Sequence, residues 1–346
     1  MNKFYSGFVF LVVTAMLLPA CGTVATNPPD CKKTELFCVG LVTDLGGIGD
    51  KSINEAACKG LQQAKTDLGA NIEFIETTDS KDYEKNMSTF GESGYDVIVS
   101  VGFNQSQATA KVAAVYPEIK FIGVDQFQDS NTPSPANLTR LIFREDQAGF
   151  LVGGLAAQMT RTKKLGAVCG TDAFPPIWRY CEGFKAGARY IDPVMDVSVA
   201  YHNDVSFAKT FADPEWGAST ASVMIGNGVD VVFGAGEMTG KGAVIAAAQM
   251  GVYAIGVADD QYYILPEAQK MLLSSAVKLI TPGVFELIKL ARDYKIPGGN
   301  YYGSVGYASF HDLQNAVPEE VKTRMEKIAR DLVDGTLKTN VQFVKP

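Results

Sequence analysis

The feature that most constrains this chain is a passage that occurs twice. Gly94-Tyr-Asp-Val-Ile-Val-Ser-Val-Gly102 leads, through a segment of helical spacing, to Ile122-Gly123-Val124-Asp125-Gln126. Gly228-Val-Asp-Val-Val-Phe-Gly-Ala-Gly236 leads likewise to Ile255-Gly256-Val257-Ala258-Asp259-Asp260-Gln261. The first glycine precedes the Ile-Gly-Val by 28 residues in one copy and 27 in the other. Short, fully apolar runs such as these read as strands covered on both faces. Self-similarity on this scale predicts two α/β lobes built on one plan, with a cleft between the carboxyl ends of their sheets. The residues ending the echoed strands, Asp125 in one copy and Asp259 or Asp260 in the other, are expected to face that cleft.

The intervening sequence keeps the same alternation. Strands are predicted at Val39 to Val42, Asn71 to Glu76, Asp96 to Val101 and Phe121 to Val124, with helices at Ile53 to Leu68, Asp82 to Phe90 and Gln105 to Tyr116 between them. The pattern restarts with strands at Leu141 to Phe143, Leu165 to Cys169 and Val197 to Tyr201. Helices are expected at Glu145 to Met159, near Cys181 to Arg189, and from Trp216. Repeated βα units of this kind mean parallel, doubly wound sheets.

Thr43-Asp44-Leu45-Gly46-Gly47-Ile48-Gly49-Asp50-Lys51-Ser52-Ile53-Asn54 joins the first strand to the first helix. Such loops lie at the carboxyl ends of parallel strands, where open α/β sheets bind ligands, and glycines let the backbone approach a guest. Ser52 reads as the helix cap, with Asp50 beside it as a helix-start residue. Asp44 and Asn54 are then the groups aimed outward.

At the N-terminus, Lys3, the apolar run Phe8 to Leu18 and Leu18-Pro19-Ala20 before Cys21 have the form of an export signal spanning residues 1–20. The small residue before a cysteine resembles a bacterial lipobox, which makes Cys21 the lipidated first residue of the exported chain. Residues 21–37 follow as a tether, small and Pro-rich at their start. An exported setting permits disulfides. Cys169, ending a strand, and Cys181, in the next helix, form one expected pair; Cys31 with Cys38 is a second.

A net charge of −7 without any Lys/Arg cluster argues against nucleic acid as a partner. With only His202 and His311, and no metal-ligand spacing of cysteines, neither a metal nor a cofactor is expected. The spacing Gly46 to Ser52 fails the phosphate-loop pattern, and there is no nucleophile elbow or zinc-helix motif, so no catalytic residue is expected. What the chain offers is carboxylates and aromatics at loop positions: Asp44, Asp125, Asp260, Phe174, Trp178 and Phe211. Carboxylates accept bonds from sugar hydroxyls and aromatic faces stack on flat rings, which suits a neutral, hydroxyl-rich, partly flat ligand better than an anion.

These motifs, in order, resemble the basic membrane protein (PnrA-like) family of ABC transporter substrate-binding lipoproteins. The resemblance rests on Asp44 with Asp50-Lys51-Ser52-Ile53-Asn54, on Phe143-Arg144 through Gly149-Phe150-Leu151-Val152-Gly153-Gly154-Leu155-Ala156-Ala157, and on Cys181-Glu-Gly-Phe184 with Ala186-Gly187. It continues through Phe211-Ala-Asp213 with Gly217, the Gly236 to Gly242 turn, and Ile255-Gly256-Val257 with Asp260-Gln261.

It implies a type I periplasmic-binding-protein-like fold: two doubly wound parallel-sheet lobes joined by a three-stranded hinge, crossing near residues 138–144, 257–262 and 302–306. The lobes are expected at 38–140 plus 259–303 and at 141–258 plus 304–346. The implied function is capture of a nucleoside, purine foremost, outside the membrane and delivery to a permease, by a monomer and without chemistry. Asp44, Asn54, Asp125, Phe211, Gly236 and Lys278 carry over as ligand-binding residues, the base lying between two aromatic rings. Two positions depart: Ile53 stands where the family has a stacking phenylalanine, and Ala258 where it has an aspartate. Other readings are a flavin, free base or sugar-like acid in the same fold, a nucleoside hydrolase using Asp44 and Asp50, or a sensor.

Overall fold

The computed structural model describes residues 31–33, 35–127 and 133–346; the export signal, Cys21 and the start of the tether lie outside them. Two six-stranded sheets form, each fully parallel apart from one edge of the second. The first contains β1 (Cys38–Val42), β2 (Asn71–Ile75), β3 (Val97–Val101), β4 (Lys120–Val124), β5 (Leu138–Phe143) and β11 (Gly299–Gly303), in the order β11-β5-β4-β3-β1-β2. The second contains β6 (Lys164–Cys169), β7 (Asp196–Tyr201), β8 (Val231–Ala235), β9 (Tyr253–Ala258), β10 (Leu272–Lys278) and β12 (Val305–Tyr307), in the order β12-β10-β9-β8-β6-β7. The strand permutation is the same in both, so the duplicated passage, which forms β3 with β4 and β8 with β9, is one part of a whole-lobe repeat.

Helices α1 (Ile53–Leu68), α2 (Tyr83–Glu92) and α3 (Ser106–Val115) cover the first sheet, and α5 (Pro175–Ile191), α6 (Pro214–Gly226), α7 (Glu237–Gln249) and α9 (Glu319–Val333) the second. Two more are exchanged. Helix α4 (Glu145–Met159) follows the first lobe's β5 but packs in the second lobe's core, whereas α8 (Ile280–Arg292) follows the second lobe's β10 and packs with α1. α4 and α5 meet backbone to backbone: a Cβ on Gly153 or on Gly187 would lie 1.9 Å from the opposing carbonyl oxygen. That contact admits only glycine. Phe121, Phe143, Phe184 and Phe233 are fully buried in the strands and helix beneath these layers, each contributing on the order of 2 kcal/mol of apolar burial.

The chain crosses between lobes at Arg144, Leu279 and Ser304, between successive elements of different lobes. The expected second crossing at 257–262, and with it the assignment of 259–278 to the first lobe, is corrected here. β10 pairs in parallel with β9, just as β5 pairs with β4, so residues 259–278 complete the second sheet. The first crossing, at Arg144, falls within the expected 138–144, and residues 141–143 belong with β5 to the first lobe. Cys169 at the end of β6 is bonded to Cys181 in α5, and Cys31 to Cys38.

Candidate functional site

The carboxyl ends of the two sheets face each other, and contacts bridge them: Ser52 to Asp259, Asp125 to Lys278, and the rings of Phe103 and Phe174. The opening loop forms one wall. Asp44 at the end of β1 is held by the Tyr83 hydroxyl, by Leu45 N–H (2.9 Å) and by Asn104 Nδ2 (3.4 Å). Burial and the bond to Asp44 push the Tyr83 phenol well above its ordinary pKa, so it remains a donor. Asn54 is buried, and both its polar atoms are used inside the loop: Oδ1 accepts from Asp44 N–H (2.9 Å) and Nδ2 donates to Asp50 (2.9 Å). Asn54 therefore shapes the wall without presenting a free group. Ile53, the first residue of α1, packs against the first lobe's core.

Ser52 holds the N-cap position of α1, as expected, but the capping hydrogen bonds come from Asp50. The Asp50 carboxylate accepts from Ser52, Asn54 and Glu55 N–H at 2.7, 3.1 and 3.1 Å. The Ser52 side chain makes no capping bond; it donates to Asp259 Oδ2 across the lobes at 2.6 Å. Burial, with the Asp50 charge adding to it, pushes Asp259 up to about 6, against the pull of Ser52, Lys278 and Lys241.

The floor holds a chain of alternating charges. Asp125, in the left-handed region at φ 60°, takes Lys278 Nζ on both oxygens at 2.7 and 2.8 Å. Lys278 also meets Glu145 at 3.0 Å, and Glu145 meets Arg179 at 2.6 Å. Arg179 ends the chain on the Phe343 carbonyl (3.0 Å) and ring (4.1 Å). The Lys278, Glu145 and Arg179 side chains are no more than 4% exposed, against 19% for Asp125. Burial works to lower the Lys278 pKa, but Asp125 and Glu145 outweigh it and the net shift is upward. Asp125 is the end of this chain open to the cleft.

Gly236, at φ 117°, closes the floor on the second lobe; a Cβ there would lie 2.7 Å from Gly170 N. Phe174 and Phe211 meet edge to face at 5.9 Å (88°), with Phe207 edge-on to both. Two expected residues lie outside the cluster of rings. Trp178 stacks on Tyr201 at 6.2 Å and lines a separate cavity of about 330 Å³ beneath residues 339–346. Asp260 turns onto its own lobe, where it accepts from Tyr262 N–H (3.2 Å) and pairs with His311 (2.7 Å). It edges a side groove of about 900 Å³, which also touches Ser52, Asp259 and Lys278.

Two cleft residues were not singled out from the sequence. Phe103 follows Gly102 as Glu237 follows Gly236, so the register of the duplicated passage already pairs them. Phe103 lies over Phe174 with centroids 4.8 Å apart. Glu237 has a left-handed φ of 52° and makes no hydrogen bond or ion pair with the described residues. Its carboxyl reaches solvent but stands among protein groups: burial raises its pKa, Lys241 lowers it, and Asp44, Asp125 and Asp50 raise it further. The site thus has an excess of carboxylates, Lys278 neutralised internally, Lys241 acting on Glu237 and Asp259, and a set of phenylalanine rings. It can accept hydrogen bonds and cover a flat ring; it offers little to an anion.

Comparisons with known proteins agree with this geometry. Residues 37–304 match the family described as ABC transporter substrate-binding protein PnrA-like. The ABC transporter nucleoside-binding protein BmpA of Lactococcus lactis is 28% identical, with 88% of this chain and 89% of that one covered. Basic membrane protein A of Borreliella burgdorferi is 33% identical over 68% of this chain and 67% of its own. In structure, an ABC transporter solute-binding protein of Aeropyrum pernix superposes with a TM-score of 0.68 at 24% identity, covering 87% of this chain and 92% of that one.

Proposed function

The chain belongs to the PnrA-like family of ABC transporter substrate-binding proteins, and from that premise we propose that it captures a nucleoside, purine foremost, between its lobes. In this reading it is a lipoprotein anchored through Cys21 at the outer face of a membrane, and the liganded form hands its cargo to a permease. Among the described residues no helix is long and apolar enough to cross a membrane, in keeping with a body attached through its N-terminus.

The observation that carries the proposal is the convergence of Asp44, Asp125 and Glu237 with Phe103, Phe174 and Phe211 at the facing strand ends. Carboxylates take the vicinal hydroxyls of a ribose and the N–H edges of a base, and the rings take its faces. The same carboxylates would repel a sugar-like acid or a phosphorylated nucleoside. Capture without turnover is favoured over hydrolysis by Asp44 and Asp50 because Asp50 is committed to the backbone N–H groups of Ser52, Asn54 and Glu55 at the start of α1, which leaves it unable to act as a base toward water.

Equilibrium binding of adenosine, guanosine, inosine and uridine to the purified protein tests this. The expected outcome is micromolar or tighter affinity for at least one purine nucleoside, recovered intact after incubation. Affinity weaker than about millimolar for all four would defeat the nucleoside claim, and release of free base would point to the hydrolase instead.

A further inference from the structure

Residues 339–346 follow α9 without regular secondary structure and lie beyond 37–304, the part of the chain that matches the family. Side-chain pins hold them. The buried Thr339 donates its hydroxyl to Asp146, whose carboxylate also takes Arg144 at 2.7 and 2.8 Å. Arg144 is the first crossing, so this strap grips the hinge. One residue before Asp146, Glu145 takes Arg179, which donates to the Phe343 carbonyl at 3.0 Å and stands over its ring at 4.1 Å. Lys345 pairs at 2.7 Å with Asp172, in the loop that leads from β6 into Phe174. The Phe343 ring then meets Phe127 at 5.0 Å, tilted by 40°. Phe127 follows β4 and belongs to the first lobe, is 46% exposed, and has Phe343 as its one ring contact among the described residues. Between the strap and α5 a cavity of about 330 Å³ stays open. The strap is thus packed at points and not along its length, as befits a segment that opens more easily than the core.

We infer that the C-terminal strap is a latch between the lobes: Phe343 closes on Phe127 when the lobes come together, holds them so, and thereby sets how long a captured ligand stays. The chain crossings at Arg144, Leu279 and Ser304 let the lobes swing as hinged bodies. A further contact made by a chain end can form and break without bending any of them. The two acids through which the strap is anchored, Glu145 and Asp146, follow Arg144 directly, and Glu145 also holds Lys278 at 3.0 Å. Latch and cleft floor therefore share one anchor at the hinge. The inference goes beyond the nucleoside reading and does not depend on which ligand is captured.

The test is a double-mutant cycle on the full-length protein with Phe127→Ala, Phe343→Ala and the two combined. It is read by the inosine dissociation rate and by small-angle scattering of the ligand-free protein, with thermal unfolding to verify the fold. Each single variant is expected to release inosine about fivefold faster, within the worth of one aromatic pair, and to show a larger radius of gyration than the wild type. The double variant is expected to match the singles, because both remove one contact. Phe343→Tyr, which keeps the ring, should stay within about twofold of the wild type. Effects that multiply in the double variant would mean that the two rings act separately, and would overturn the latch. An unchanged rate in Phe127→Ala would overturn it too, since a strap that serves only the second lobe does not need that residue. Should the wild type bind no inosine, that part of the nucleoside reading fails and scattering decides the latch alone: equal radii in the wild type and all variants would overturn it.

Discussion

The two lobes share one strand permutation but carry different chemistry at equivalent strand ends. After the first echoed strand comes Gly102-Phe103 in one lobe and Gly236-Glu237 in the other; after the second comes Asp125 in one and Ala258 in the other, both left-handed, at φ 60° and 69°. In each lobe a buried glutamine follows, Gln126 or Gln261, its Oε1 close over Gly123 or Gly256 and its Nε2 donating to the Gly102 or Val257 carbonyl. The third strand of each series ends at Phe143 or at Lys278, whose ammonium lies 5.5 Å from the Phe143 ring. The backbone device is duplicated and the side chains it displays are not. A left-handed residue costs on the order of 1 kcal/mol, and that conformation recurs in both lobes while the residue displayed there differs.

The largest way to break this comparison is at Lys278, where the lobes differ most. Lys278→Met leaves Glu145 short of one cation at 1% exposure and Asp125 unpaired. A loss of about 3–5 kcal/mol in urea denaturation is expected. A loss under about 1 kcal/mol would mean that the four-charge chain does not hold the lobes together. Ala258→Asp restores the equivalence with Asp125. Aspartate tolerates the left-handed region better than alanine, and a carboxylate there adds one acceptor to the cleft. Nucleoside affinity measured by calorimetry should rise about tenfold; no rise would show that the equivalent position in the second lobe does not face the ligand.

The smallest effect concerns Asp259, the residue inserted after Ala258. Its folded pKa of about 6 exceeds the ordinary 3.8, so the folded state binds the proton more tightly than the unfolded chain. Its contribution to stability is present at acid pH and lost as pH rises through about 6. Asp259→Asn should flatten that step, making the variant more stable than the wild type at pH 7 by about 1 kcal/mol after solvent screening. Denaturation curves between pH 4 and 8 measure it; parallel profiles for the two proteins would contradict the assignment.

Much of the architecture was legible because the period of the strands and the echo survive as local patterns. The second crossing was not. The echo was followed for two strands, whereas hydrogen bonding between β9 and β10 extends it to a third. At the opening loop, residue type favoured Ser52 as the cap, yet Asp50 reaches three N–H groups and frees the serine for Asp259; spacing along the chain does not encode a partner 207 residues away. Trp178, favoured by chemical character, stacks on Tyr201 away from the rings, whereas Asp260, read from the end of the echoed strand, pairs with His311 and lines the groove that also touches Ser52, Asp259 and Lys278. Phe103 and Glu237 were passed over, although reading the echo by register would have paired them.

The exchange of α4 and α8 has a consequence for how the chain comes to be folded. The first lobe's sheet is completed by β11, and its α1 is covered by α8, so it lacks residues 280–303 until nearly the whole polypeptide has been made. The second lobe's first five strands and most of its helices form one continuous run, residues 145–278. A domain assembled during vectorial synthesis can close only when its last element has emerged. The lobe that begins first therefore finishes after its partner's sheet has taken shape, and a stalled chain ending near residue 279 would hold five strands of the second sheet beside a first sheet with an open edge.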